Sequence, residues 1–170
     1  IIPAETINRF LTHAEKESYR GFGLVGFETF DLLDPTMRKF LKMPEDIKHG
    51  VYVSKVYKLG TGSKELNEGD VILSMDGEQL NPYGRYLHKE YDRISFENLI
   101  LRKIDGDKIP CQIWRNGQQQ TIEIVAQNFK ADQMLVPYYL YGKPTEYMVV
   151  GGFIFQTMTR DFLGMWGENW

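Results

Sequence analysis

The sequence predicts a mainly β domain of the α+β class, a small, partly open β-barrel flanked by two helices, and three observations carry that expectation. Gly50 to Val56 alternates, with Val51 and Val53 on one face, as a half-buried strand does. Leu66 to Gly77 sets the apolar run Val71-Ile72-Leu73 between a Gly-Asp turn at 69–70 and an Asp-Gly turn at 76–77. Ile109, Cys111 and Ile113 alternate ahead of Asn116-Gly117, a type I′ hairpin signal, and Thr121 to Val125 returns.

The remaining elements follow in chain order. Ile7, Phe10, Leu11 and Ala14 form the i, i+3, i+4, i+7 stripe of an amphipathic helix over residues 3 to 17, with Pro3 near its start and an end expected by Tyr19-Arg20-Gly21. Asp34-Pro35 reads as an N-cap followed by proline in the first helical position, with Met37, Phe40 and Leu41 as the buried side. Gly60 to Lys64 is a loop without the spacing of a phosphate-binding P-loop. Residues 78 to 93 lack clear periodicity and read as a long connection. Ser95 can cap a helix over 96 to 103 that shows Phe96, Leu99, Ile100 and Lys103 on one side.

Composition narrows the function. The chain has 170 residues, 42% of them hydrophobic, which suits one ordinary globular domain, or a small domain plus a fragment of another. A formal charge of −3 lacks the concentrated basic face that nucleic acid requires. No apolar run approaches the ~20 residues of a membrane-spanning helix. The opening Ile1-Ile2-Pro3 carries neither an initiator Met nor a basic leader, and reads as a piece of a longer polypeptide. Cys111, the single cysteine, cannot form an internal disulfide and fits a small buried hydrophobe, so the compartment stays open.

Three patterns touch on chemistry. His13 and Glu17 are four residues apart on a helix, but a third metal ligand is missing nearby, so no metal site is expected. Gly21-Phe22-Gly23-Leu24-Val25-Gly26 is a literal G-x-G-x-x-G, yet a helix precedes it and a strand-like stretch follows, the reverse of a dinucleotide site. The alternative is a glycine loop whose backbone N–H groups form a nest for an anion such as a peptide's terminal carboxylate.

These residues resemble the PDZ region of the HtrA/Deg family of trypsin-like serine proteases. Glu68 to Gly77 is similar to that family's Gly-Asp strand, Leu24-Val25-Gly26-Phe27 to its Φ-Φ-G-Φ carboxylate loop, and Ile1-Ile2-Pro3 with its helix to the junction leaving the protease domain. The expected organisation is a linker helix at 1–18, a PDZ domain at 19–128 and a truncated second PDZ-like unit at 129–170. Residues 129 to 170 carry a dense aromatic load, including Phe129, Tyr138, Tyr139, Tyr141, Tyr147, Phe153, Phe155, Phe162, Trp166 and Trp170. There Gly151-Gly152-Phe153, Thr157-Met158 and Arg160-Asp161-Phe162-Leu163 echo Val25-Gly26-Phe27, Thr36-Met37 and Arg38-Lys39-Phe40-Leu41. The stretch from Tyr138 to Gly152 most resembles the plant-type Deg branch.

The resemblance implies a peptide added as a strand on a sheet edge. Leu24, Val25, Gly26 and Phe27 would hold the carboxylate, with Gly26 permitting close approach. Phe27, Glu28, Thr29 and Phe30 would form the edge, and Phe96, Leu99, Ile100 and Lys103 the opposite wall, shaped for an apolar C-terminal residue. Arg20 would stand beside the carboxylate as a nearby positive charge. The implied partners are peptide or protein C-termini and unfolded segments, an upstream protease domain, and further copies in an oligomeric parent. No cofactor is implied. The G-N-S-G-G nucleophile motif is absent, and His13, His49 and His88 lack Ser and Asp partners in that family's pattern, so this segment is not expected to be an enzyme. The family's compartments are periplasmic, cell-envelope or organellar, and a cytoplasmic location stays open beside them. Two alternatives stand beside the peptide module: a scaffold whose groove is filled by an internal or neighbouring segment, and an enzyme using Cys111 with a histidine.

Overall fold

The computed structural model describes residues 4–14, 21–128, 134–136, 144 and 146–165. The chain divides into two compact units, Ile1–Asn128 and Phe129–Trp170. In the first, a helix α1 (Ala4–Ala14) precedes β1 (Phe27–Phe30), α2 (Pro35–Phe40), β2 (Val51–Val56), β3 (Val71–Met75), β4 (Glu78–Gln79), β5 (Arg85–His88), β6 (Asp92–Ser95), α3 (Glu97–Leu101), β7 (Lys108–Arg115) and β8 (Gln118–Val125). The main sheet runs β1-β2-β3-β7-β8 with β4 beside β3, all antiparallel. It is open, with β1 and β8 at its ends, rather than closed into a barrel.

Why β3 reads as a continuous apolar run becomes clear from its two neighbours. Ile72 and Met75 enter a core with Val51, Val53, Ile109, Ile113, Leu99 and Ile100, while Val71 and Leu73 enter a second cluster with Leu32, Met43 and Trp114 on the other side. Both faces are covered, so alternation with polar residues is lost. A register shift between Ile72 and Ser74 against β7 inserts Leu73 as an extra residue, and that changes the parity that brings Met75 back to the face of Ile72.

The turn chemistry matches the sequence closely. Asp76-Gly77 and Asn116-Gly117 all take positive φ, the geometry of a type I′ turn, and join β3 to β4 and β7 to β8. Asp34 accepts a hydrogen bond from the Thr36 N–H at 2.7 Å with Pro35 behind it, as the N-cap expectation required. Arg38 on α2 donates to the carbonyls of Leu32, Ile47 and Lys48, pinning the loop around the helix. Trp114 Nε1 donates to the Leu41 carbonyl at 2.9 Å and closes the other end.

Four expectations change. The helix side expected to bury Phe40 leaves it 78% exposed, while Met37 and Leu41 pack on the second cluster. Residues 78 to 93 are not a bare connection, because β4 and the antiparallel β5–β6 pair lie within or overlap them. Tyr86 is the buried anchor of that pair, its hydroxyl 2.8 Å from the Asn98 side chain of α3, and Leu80 and Tyr86, the buried hydrophobic side chains of the run, are too widely spaced to give a periodicity to read. The helix expected over 96 to 103 is shorter, and its Ser95 cap contact to the Glu97 N–H is long at 3.4 Å. In α1 the apolar side chains Ile7, Phe10 and Leu11 are about half exposed, although Phe10 lies against Phe22. The expected extensions of that helix at residues 3 and 15–20, together with Ile1 and Ile2, lie outside the described residues.

The Gly-Asp turn is held by one buried ion pair. Asp70 is 1% exposed and takes two hydrogen bonds from Arg115, Nε to Oδ1 and Nη2 to Oδ2, both 2.7 Å. It also accepts from the Asn67 N–H at 2.8 Å, and the same guanidinium reaches the Glu65 carbonyl. Arg115 is held above its ordinary pKa by that hydrogen-bonded carboxylate.

The second unit contains an antiparallel hairpin, β9 (Tyr147–Val150) with β10 (Phe153–Gln156), turned by Gly151-Gly152 at positive φ, and a short helix α4 (Arg160–Gly164) capped by Thr159. Strand, cap and short helix thus follow in the order seen from Phe27 to Phe40. The aromatic residues Phe129, Tyr138, Tyr139, Tyr141, Trp166 and Trp170 lie outside the described residues.

Two measurements test these contacts. Asp70→Ala removes the carboxylate from the partly buried Arg115, which keeps the Glu65 carbonyl, and takes the acceptor from the Asn67 N–H; it is expected to lower unfolding stability by about 1–3 kcal/mol, read as a lower urea midpoint. His49, held below its ordinary pKa by burial and then by the Arg38 charge, favours the neutral form in the folded state. As pH falls below about 6.5 the unfolded chain takes the proton first, so stability should decline until the folded histidine also protonates. His49→Gln is expected to flatten that acid limb of the melting-temperature profile.

Candidate functional site

The glycine loop and β1 occupy one side of the first unit. Tyr57 N–H donates to the Gly26 carbonyl at 2.8 Å and Phe27 faces Val56, so the Phe27–Val56 pair is a non-hydrogen-bonded one. The Phe27 N–H and C=O therefore point away from β2. A register shift follows, in which Glu28 faces Lys55 and Thr29 faces Val53. Val53 directs its N–H to the Asp70 carbonyl and its C=O to the Gly69 N–H, toward β3, leaving Thr29 also turned outward. Within the sheet path β1 pairs with β2 alone. The outward margin of Phe27 to Phe30 is a strand edge, with Glu28 and Phe30 exposed, and Glu28 hydrogen-bonded to the Tyr57 hydroxyl.

The loop amides are unevenly placed. Leu24 N–H donates to the Gln127 carbonyl at 2.9 Å, and Gly26 N–H to the Thr61 carbonyl at 3.1 Å. Among the described residues the Val25 N–H has no such acceptor, and Val25 and Phe27 are the positions from Leu24 to Phe27 whose amides lack a backbone acceptor there. Gly26 has a different reason for being glycine than ligand approach. A Cβ there would stand 2.7 Å from the Gly60 carbonyl carbon and 2.8 Å from the Thr61 oxygen, both rigid backbone.

The other expected wall is largely interior. Phe96, Leu99 and Ile100 are buried with Phe27 in the main core, and the Phe27 and Phe96 rings stack at 5.6 Å. Gly23 N–H bonds the Lys103 carbonyl at 2.9 Å, which brings the start of the loop to the end of α3. Lys103 itself pairs with Asp76 at 2.7 Å. Arg20 lies outside the described residues. The structure thus brings the loop, β1 and the end of α3 together. It places the apolar wall residues beneath the surface and turns the lysine to a carboxylate of its own. Thr61 and Gln127 complete the arrangement, and neither was legible in the sequence, since a threonine between two glycines and a glutamine after a strand carry no motif.

The environment of Cys111 disfavours the thiolate that a nucleophile requires. The residue is 1% exposed in the main core, and burial, followed by the Asp76 charge, pushes its thiol up to about 12. No cluster of three potential metal ligands occurs among the described residues.

Gly26→Ala separates the two roles of this glycine. Overpacking against Gly60 and Thr61 is expected to cost about 1–3 kcal/mol and to shift the backbone resonances of residues 60–62, checked by chemical denaturation and amide chemical shifts. A variant with unchanged stability and unchanged shifts would contradict the close backbone contact.

The PDZ domain family model matches residues 136–170, in the second unit. Protease Do-like 2, chloroplastic, of Arabidopsis thaliana is 31% identical over 164 residues, 96% of this chain and 26% of that protein. Protease Do-like 4, mitochondrial, of the same plant is 26% identical over 168 residues, 96% of this chain and 31% of its own. A solved HtrA-type protease AlgW with decapeptide matches 74% of this chain and 35% of that one at a TM-score of 0.49 and 24% identity. The chain thus spans about a quarter to a third of the length of these relatives. Over 96% of its length the chain is similar to Do-like proteases of the Deg/HtrA type, and the part of them that it covers is PDZ-like.

Proposed function

We propose that this region is the peptide-binding regulatory module of a Deg/HtrA-type serine protease, taking C-terminal or unfolded segments as an added antiparallel strand along β1. The observation that carries the reading is the outward edge of β1 beside loop amides that lack a backbone acceptor among the described residues. Phe27 and Thr29 turn their backbone groups away from β2, and the Val25 N–H stands at the head of that edge. Main-chain pairing there supplies affinity without a large pocket, and the terminal carboxylate accepts from the amides of Val25 and Phe27. Leu24 and Gly26 contribute by shaping the loop rather than by donating. Phe96, Leu99 and Ile100 form the floor on which an apolar terminal side chain settles, while the Lys103 charge is already matched by Asp76. In this proposal the parent protein holds the protease domain, assembles from several copies and reads peptide occupancy through this region, with residues 129–170 opening a second PDZ-like unit.

A scaffolding role is the second reading, and a specific observation favours it. The wall residues are buried and two loop amides already have internal acceptors, which fits a groove that closes on the protein's own segments.

Titration calorimetry with a decapeptide ending in Val separates the two. The free acid is expected to bind, and its C-terminal amide to bind at least about tenfold more weakly, the worth of one charge-assisted hydrogen bond. Amide exchange should slow at Phe27 and Thr29 but not at Glu28, whose N–H faces β2. Equal affinity for acid and amide would remove the carboxylate loop from the site, and no binding of either would leave the scaffold. The isolated chain is expected not to cleave casein.

A further inference from the structure

We propose that Thr61 is the positioning residue that latches the carboxylate loop to the segment by which the chain leaves the first unit, so that occupancy of the loop is felt at residues 126–128. The inference rests on the peptide-binding reading for its ligand, but its geometry is independent of it. Three backbone segments far apart in sequence are tied in a closed ring. Thr61 N–H donates to the Leu24 carbonyl at 2.7 Å, Gln127 N–H donates to Thr61 Oγ1 at 3.0 Å, and Leu24 N–H donates to the Gln127 carbonyl at 2.9 Å. Gly26 N–H adds a fourth bond, to the Thr61 carbonyl. Within this ring the Thr61 hydroxyl is the only side-chain member.

Its surroundings explain why the ring moves as one piece. Thr61 is fully buried, so its own N–H, carbonyl and hydroxyl have no water as an alternative partner, while Leu24 and Gln127 are partly buried. Gly60, at a φ of +100°, sits so close that a Cβ on it would lie 2.7 Å from the Gly26 Cα. The loop and the turn therefore cannot slide past each other. Ser63 Oγ lies 3.3 Å from Gln127 Oε1, a second link from the same turn to the exit segment. Asn128 N–H, one residue on, donates to Asp105 at 2.9 Å, and the Asn128 side chain lies against Gly21 at the loop's own entry. The inlet and the outlet of the unit thus meet at the loop. A ligand carboxylate drawing on the Val25 and Phe27 amides pulls on residues directly flanking Leu24 and Gly26, and Thr61 passes that displacement to Gln127.

The test uses the whole chain, with residue-resolved hydrogen exchange read by NMR. Thr61→Val keeps the shape and removes the hydroxyl, while Thr61→Ser keeps the hydroxyl. In the ligand-free protein, Thr61→Val is expected to speed exchange about tenfold at Leu24 and Gly26 as well as at Gln127, and Thr61→Ser to restore all three. Adding the free-acid decapeptide ending in Val should change protection at Gln127 in the native protein and not in Thr61→Val. Faster exchange at Gln127 with Leu24 and Gly26 unchanged would overturn the latch. So would peptide binding that leaves Gln127 protection equally altered in both proteins. Coupled exchange without any peptide binding would support the latch and overturn the peptide reading of the loop. Should Thr61→Val fail to fold, Thr61→Ala against Thr61→Ser gives the same comparison, since only the serine retains the acceptor.

Discussion

The contact of Gly26 with Gly60 and Thr61 is the constraint on which the rest of the site depends. Two backbones meet there more closely than any side chain permits. That contact sets where the glycine loop lies, which of its amides have internal acceptors, and how β1 enters the sheet. An anion nest requires several N–H groups pointing to one spot. Here the packing of two turns decides which ones remain, and they are Val25 and Phe27 rather than the whole run from Leu24.

Around this contact the domain is built as a sheet with both faces covered. The main core and the cluster under Trp114 lie on opposite sides of β3, and Asp70 with Arg115 pins the turn that leads into it. Along the path β1-β2-β3-β7-β8 the two end strands are left for pairing, with the short β4 branching off β3. β8 leads to the exit segment, and β1 follows directly from the glycine loop. The position of the loop beside an open strand edge is therefore a consequence of chain order and of helices occupying both faces. A peptide-adding edge needs a rigid neighbour, and β2, paired along its length and anchored through Val51 and Val53, supplies one.

The buried state of Phe96, Leu99 and Ile100 bears on what kind of ligand the edge suits. Their side chains complete the core with Phe27, so affinity in the proposed mode comes chiefly from main-chain hydrogen bonds and from the terminal carboxylate. Selectivity for a deep terminal side chain requires those residues to move, which is costly in a well-packed interior. A shallow site of this kind suits recognition of unfolded segments, whose shared feature is backbone rather than a particular side chain.

Local chemistry was enough to read much of this protein from its residues. Asp34-Pro35, Asn116-Gly117 and Asp76-Gly77 each specify a backbone geometry through their own side chains or through φ preference, and each takes that geometry. The strand alternations at Val51 and Val53 and at Ile109 to Ile113 required only one buried face. The resemblance carried by Glu68 to Gly77 pointed to the PDZ region. What escaped were features made by residues distant in sequence. The β5–β6 hairpin is anchored by one buried tyrosine, and Phe40 is left outside by the arc of α2. Lys103 turns to Asp76, and Gly26 owes its identity to Gly60. Periodicity and turn preference act over a few residues, whereas each of these depends on which segments the fold brings within hydrogen-bonding or van der Waals reach, and only the tertiary structure decides that.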